Sequence, residues 1–175
     1  MCRFVRTYNQ TTFRKEVPVS TQMIAKPEAG SSVIDCDAQP FLKEGWRIED
    51  HQKSGSLTWD PGKAGLHLSD AQRDGRAIVG TKLLQELSRT TRFHAMNANV
   101  LDFLLSHPHL IPGEWRNGAK GQRIVSVYFW GTIYRDPNNR FCVPCFFWEV
   151  GLPERGHCQL DSYFGISSPA AILIA

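Results

Sequence analysis

Cys142-Val143-Pro144-Cys145, followed by His157-Cys158, is the group best equipped for chemistry in this sequence. A C-x-x-C pair with a further thiol and an imidazole supplies four soft donors, enough to hold Zn²⁺ tetrahedrally, and such a pair can also run disulfide redox chemistry. Strand geometry opposes both uses. Side chains alternate along a strand, so residues i and i+3 point to opposite faces. A redox pair needs a helix N-terminus to stabilise its thiolate, yet Phe146-Phe147-Trp148 reads as strand. Only a bulge at Pro144 would bring the two thiols together. The expected state is therefore buried, inert cysteines and no cofactor, with zinc on Cys142, Cys145, His157 and Cys158 as the alternative.

Other polar groups offer less. His107-Pro108-His109 is an H-x-H string at an expected helix end, where a histidine commonly caps. Asp35-Cys36-Asp37, Glu49-Asp50 and Asp60 with Lys63 could in principle serve a divalent cation and a phosphate, but no spacing links them. The chain holds no G-x-S-x-G, P-loop, G-x-G-x-x-G or H-E-x-x-H string.

Aromatic rings carry the remaining information. If 124–135 is one strand, Val125, Val127, Phe129 and Ile133 share a face, and Ser126, Tyr128, Trp130, Thr132 and Tyr134 share the other. Neither face is polar, as a half-exposed sheet would require. Either other elements cover both faces, or Tyr128, Trp130 and Tyr134, with Trp148 across the hairpin, form an open ligand-binding platform for bases, a sugar or a peptide.

The elements that must position these groups follow from turn and cap signals. Residues 1–32 show no sustained period and read as a basic arm and linker, leaving 33–175 as a single domain. Gly45–Glu49 and Ser56–Trp59 alternate around Lys53-Ser54-Gly55 and predict an N-terminal β-hairpin. Ser69 and Gln72 have capping-box spacing for a short helix that Gly75 ends. Thr81 is expected to cap a helix over Lys82–Ser88. Asn97 or Asn99 is expected to cap another, with an inner stripe of Val100, Phe103, Leu104 and His107, stopped by Pro108. Ile124–Arg135 and Phe141–Val150 flank the turn formers Asp136-Pro137-Asn138-Asn139, and a third strand near Cys158–Phe164 completes a C-terminal antiparallel β-meander. The fold class expected is α+β.

Asn97-Ala98-Asn99-Val100-Leu101-Asp102-Phe103-Leu104-Leu105-Ser106-His107-Pro108, then Leu110-Ile111-Pro112 and Trp115, then Phe129-Trp130-Gly131-Thr132-Ile133-Tyr134-Arg135-Asp136, resembles a family of small bacterial proteins with no assigned activity. Trp59-Asp60-Pro61 and Gln72 fit the same pattern, and the resemblance spans about residues 33–175. It implies a fold unit and adds no chemistry. Cys142 and Cys145 stand where that family usually carries Tyr, Leu and Trp.

Bulk composition narrows the classes. With 175 residues, 42% apolar and 21% charged, the chain is the size and make-up of one domain with a real core. No apolar run approaches the roughly 20 residues a membrane helix needs, so no membrane partner is expected. The start, Met1-Cys2-Arg3-Phe4-Val5-Arg6, lacks the apolar core of a secretory signal, so reduced thiols and a cytoplasmic location are expected. Of the net +3, residues 1–26 carry +4, five cations against Glu16, which leaves −1 for the rest. The leading functional expectation is a non-catalytic binding or interaction module for a protein, peptide or nucleic acid, using the aromatic sheet face. The alternatives are a metal-dependent enzyme or zinc module on the thiol–histidine or acidic groups, and an adaptor whose basic arm touches nucleic acid.

Overall fold

The computed structural model describes residues 32–117 and 124–174, so the arm lies outside the described residues apart from Ser32. Local signals decide the helices. In α1 (Asp70–Arg73) the Ser69 hydroxyl accepts from the Gln72 N–H at 3.3 Å, and Gln72 Oε1 accepts from the Ser69 N–H at 3.0 Å. This reciprocal box satisfies two orphan donors, and Gly75 at φ +79° follows the end of the helix.

Helix α2 runs Gly80–Arg89, starting earlier than a Thr81 cap would allow, and Val79 gives it no side-chain cap. The carbonyls of Ser162 and Leu160 do the capping, accepting from the Gly80 and Thr81 N–H groups, each at 3.0 Å. That approach leaves no room for a side chain at residue 80. A Cβ there would lie 2.6 Å from the Phe164 ring and 2.7 Å from the Leu160 oxygen.

Helix α3 (Ala98–Ser106) is capped by Asn97, whose Oδ1 accepts from the Asn99 N–H at 3.2 Å, and Pro108 opens a 3-10 turn directly beyond it. Val100, Leu101 and Leu104 face the core, each at most 1% exposed. His107 does not join them. It is exposed, donating from Nδ1 to Phe103 O at 2.9 Å and stacking on the Phe103 ring. A one-turn helix, α4 (Glu114–Asn117), follows.

The strands among the described residues are β1 (Val33–Asp35), β2 (Arg47–His51), β3 (Ser56–Thr58), β4 (Ala64–His67), β5 (Ile78–Val79), β6 (Phe93–Ala95), β7 (Ser126–Tyr128), β8 (Thr132–Arg135), β9 (Phe141–Glu149), β10 (Leu152–Gln159), β11 (Tyr163–Phe164) and β12 (Ala170–Ile174). The class is α+β, and the pairing is antiparallel except where β12 meets β7. The meander is present: β9 pairs with β10 on one edge and with β7 and β8 on the other. Its last strand ends at Gln159 rather than beginning near there, and Tyr163–Phe164 pairs separately with β5.

The N-terminal hairpin does not form. β2 pairs with β8 and β3 pairs with β1, so the two alternating runs are strands of different sheets. Better partners explain the choice. Across β2 and β8, Arg135 grips both carboxylate oxygens of Glu49 at 2.8 Å, and Gln52 N–H reaches Gly131 O at 2.8 Å.

Both faces of the eight-stranded sheet are covered. One face packs Val127, Phe129, Phe146 and Ala171 against α3, Trp115 of α4, and Ile34, Cys36 and Trp59 of the β1–β3 ribbon. The other packs Tyr128, Trp130, Ile133, Val143 and Cys145 against Leu83 and Leu87 of α2, with Ile78, Leu160 and Phe164. Fully burying a leucine or phenylalanine of this kind stabilises by about 1.5–3 kcal/mol. Among the described residues no helix is long and apolar enough to cross a membrane.

Between β7 and β8 the chain leaves the ladder. Tyr128 lies opposite Cys145, and Tyr134 lies opposite Cys142. Six residues on one strand therefore span what three span on the other, a surplus of three residues at the Trp130-Gly131 turn. An odd surplus reverses the alternation of faces. Tyr128 and Ile133 consequently share the α2 face, whereas Val127 and Phe129 face α3.

Candidate functional site

A shallow, open cleft lies on the α3-side face of the sheet, beside the region that α3 covers, and is lined by Phe41, Lys43, Trp46, Tyr134, Pro144, Arg155, Gly156 and His157. Strand register explains the floor. Pro144 lies opposite His157 across β9 and β10, and Cys142 lies opposite Tyr134, so Tyr134, Pro144 and His157 project on the same side. The segment between β1 and β2 supplies the wall, with Phe41 and Trp46.

The rings are held edge to face. Trp46 meets His157 with centroids 4.5 Å apart at 74°, and Tyr134 at 6.3 Å and 73°. That geometry points the positive ring edges at a negative ring face. Lys43 Nζ stands 5.9 Å from the Trp46 centroid, and the Arg155 guanidinium lies 4.8 Å from the centroid of Phe41.

Helix α3 anchors the wall. Asp102 pairs with Arg155 through one oxygen and accepts the Phe41 N–H at 2.9 Å through the other. The Tyr134 hydroxyl donates to Phe41 O at 3.0 Å. Packing around Tyr134 desolvates its phenol and pushes its pKa up, so the hydroxyl keeps its proton. Burial against Trp46, reinforced by the Lys43 charge, pushes the His157 imidazole below its ordinary range.

A second set of bonds fixes the ends of the wall segment. His51 Nε2 must donate to Cys36 O at 3.1 Å, because a carbonyl only accepts. His51 Nδ1 hydrogen-bonds the Thr132 hydroxyl 2.8 Å away, and that oxygen accepts from the Ala98 N–H at 2.9 Å. Asn97 Nδ2 donates to Cys36 O at 2.9 Å and Gln52 O at 3.0 Å, and Asn99 Nδ2 donates to Asp35 O and to Ala38 O. The chain from Asp35 to Gln52 is thus pinned to the start of α3 on both sides of Phe41 and Trp46.

The residues singled out in the sequence fall in different places. Tyr128 and Trp130, 3% and 1% exposed, lie inside the α2-side core and offer no open ring face. Tyr134 is 5% exposed and lines the cleft. Trp148 is half-buried further along β9, where Arg116 lies 4.4 Å from its centroid. The four rings do not form one platform, because the three-residue excursion puts Tyr128 and Tyr134 on opposite faces.

Cys142 and Cys145 also point to opposite faces. Cys145 joins the α2-side core, where burial pushes its thiol up to about 12. Cys142, also pushed up to about 12 by burial, lies 3.7 Å from Arg140 O. His157 belongs to the cleft, and Cys158 is buried on the Cys145 side. The acidic groups serve turns: Asp35 Oδ1 accepts from Asp37 N–H, Asp37 Oδ1 from Gly55 N–H and Asp60 Oδ1 from Gly62 N–H. Among the described residues no three His, Cys, Asp or Glu side chains come together as a metal site.

Phe41, Lys43, Trp46 and Arg155 were not among the expected site residues. The available signal was an aromatic and a lysine in a segment ending at Gly45, a place where large rings have no strand to pack into. None of the family models, curated proteins or solved structures compared with the chain matches it, so the resemblance rests on its residues alone.

Proposed function

We propose that this protein is a non-catalytic binding module whose site is the aromatic cleft at Phe41, Trp46, Tyr134 and His157. The observation that carries the reading is Phe41, a large apolar ring left 57% exposed beside a half-buried Trp46 on a wall tied down by hydrogen bonds at both ends. A rigid concave surface of rings with a few convergent polar groups is what small-ligand and side-chain recognition uses. The high thiol pKa values support the non-catalytic part, because Cys142 and Cys145 hold their protons and are poor nucleophiles or metal donors.

Indole is a suitable first probe, followed by backbone amide shifts in a ¹H–¹⁵N NMR titration. Saturable shifts centred on Phe41, Lys43, Trp46, Gly156 and His157 are expected, and they should vanish in Trp46→Ala. Shifts that centre elsewhere, or survive that substitution, would remove the cleft as the site.

A further inference from the structure

We propose that the cleft selects a small aromatic carboxylate, a flat ring carrying one negative group, over neutral aromatics of the same shape. This rests on the cleft being a binding site and adds the chemistry of what enters it.

Phe41, Trp46 and Pro144 offer carbon surface. The Tyr134 hydroxyl is committed to Phe41 O. The charged side chains lining the cleft are Lys43 and Arg155, which only donate hydrogen bonds, and no carboxylate lines it. Asp102, the acid bound to this wall, has one oxygen on Arg155 and the other on the Phe41 N–H. Its charge offsets that of Arg155, whereas Lys43 makes no ion pair among the described residues. Lys43 is thus the one charged side chain lining the cleft without an ion-pair partner among the described residues, and it stands beside an apolar floor.

A ligand for such a surface needs a ring to replace the water over Trp46 and Phe41. It also needs an acceptor anion at its rim to meet Lys43 and the free N–H groups of Arg155. A cation would meet Lys43 as a like charge. A neutral ring would leave the ammonium unused. Burial first and the Lys43 charge second lower the pKa of the His157 ring beside Trp46, with Asp136 acting in the opposite direction.

Three probes separate the parts by titration calorimetry on the full chain: indole-3-carboxylate, indole-3-carboxamide and cyclohexanecarboxylate. The aromatic carboxylate should bind about tenfold more tightly than its amide, which corresponds to about 1.4 kcal/mol, and raising the salt should shrink that gap. Lys43→Met should bring the two indoles within about twofold of each other by weakening the carboxylate alone, and Lys43→Arg should restore the preference. Cyclohexanecarboxylate should bind at least about tenfold more weakly than the indole acid, because it cannot use the ring faces. Equal binding of acid and amide would overturn the anion preference and leave the binding-module reading intact. Equal binding of the two acids would overturn the ring requirement. Failure of all three probes to bind would sink both proposals.

Discussion

Gly131→Ala should be among the most damaging single-methyl additions to this fold, although the glycine has no left-handed backbone to demand it. A Cβ at residue 131 would lie 2.8 Å from Ala95 O, 2.9 Å from Asn97 N and 3.0 Å from Asn97 Cα. All three are backbone atoms, so no flexible side chain can give way. The surrounding chain is also tied: Gly131 N–H donates to Met96 O at 2.9 Å, and Gly131 O accepts from Gln52 N–H at 2.8 Å. Relieving the clash means moving the excursion off the start of α3. Overpacking of this kind costs about 1–3 kcal/mol. Stretching one of the two buried hydrogen bonds until a group is unsatisfied adds about 1–3 kcal/mol.

The expected loss is therefore about 2–6 kcal/mol, a large part of the stability of a domain this size. With a urea slope of about 2 kcal/mol per M, the unfolding midpoint should drop by about 2 M. Gly113→Ala is the control, since a Cβ there meets nothing within 4 Å, and its stability should stay within about 0.5 kcal/mol of the parent. Circular dichroism followed through urea unfolding measures both. A Gly131→Ala loss below about 1 kcal/mol, under the low end of what overpacking costs, would mean that the excursion does not rest on Ala95–Asn97. The parity reversal that brings Tyr134 to the cleft would then lack its support.

Three further outcomes follow from other sites. Val150 sits fully exposed at φ +48° ahead of Gly151 in the β9–β10 turn, so Val150→Asn should raise stability by about 1 kcal/mol, and an unchanged or lower melting temperature would show that the turn is not left-handed. Burial holds His67 and His157 below the ordinary histidine pKa, so the unfolded chain binds more protons than the folded one just below about pH 6.5. Their contribution to stability is full above that pH and lost as pH falls through the folded values. Urea midpoints should therefore decline on acidification through this window, less steeply in the His67→Gln, His157→Gln double variant, and identical slopes would refute the assignment. Cys142 and Cys145, pushed up to about 12, should react with a thiol reagent only as the protein unfolds, and fast labelling of either in native protein would contradict their burial.

Helices were legible in this sequence because their determinants are local. Ser69 with Gln72, Asn97 before α3, and Pro108 behind it each act over three or four residues, and each does what its spacing predicts. Strand existence was partly legible for the same reason, but partnership was not. Arg47–His51 and Ser56–Thr58 alternate as strands should, yet alternation says only that a strand has two faces. Which edge it joins depends on distant groups such as Arg135 and Gly131. The C-terminal run Ala170–Ile174 shows the complementary failure. Its short apolar composition suits a central strand or a helix equally, and its place between β4 and β7 comes from pairing alone.

The cleft was hidden by both effects at once. Its floor depended on face assignment along 124–135, and three residues outside the ladder reverse that assignment between Tyr128 and Tyr134. Its wall depended on a segment with no period of its own, held by long-range bonds from α3. Asn97 and Asn99 are expected as alternative caps, and Asn97 is the cap, with Asn99 inside the helix. Asn97 Oδ1 caps the helix, while the amide groups of the two residues bind the carbonyls of residues 35, 36, 38 and 52. Asp102, one turn further on, positions Phe41 and Arg155. The polar residues of α3 that face this segment thus order the wall, and its apolar stripe orders the core beneath. A substitution such as Asp102→Asn should therefore weaken probe binding at the cleft far more than it lowers the melting temperature, whereas Leu104→Ala should do the reverse.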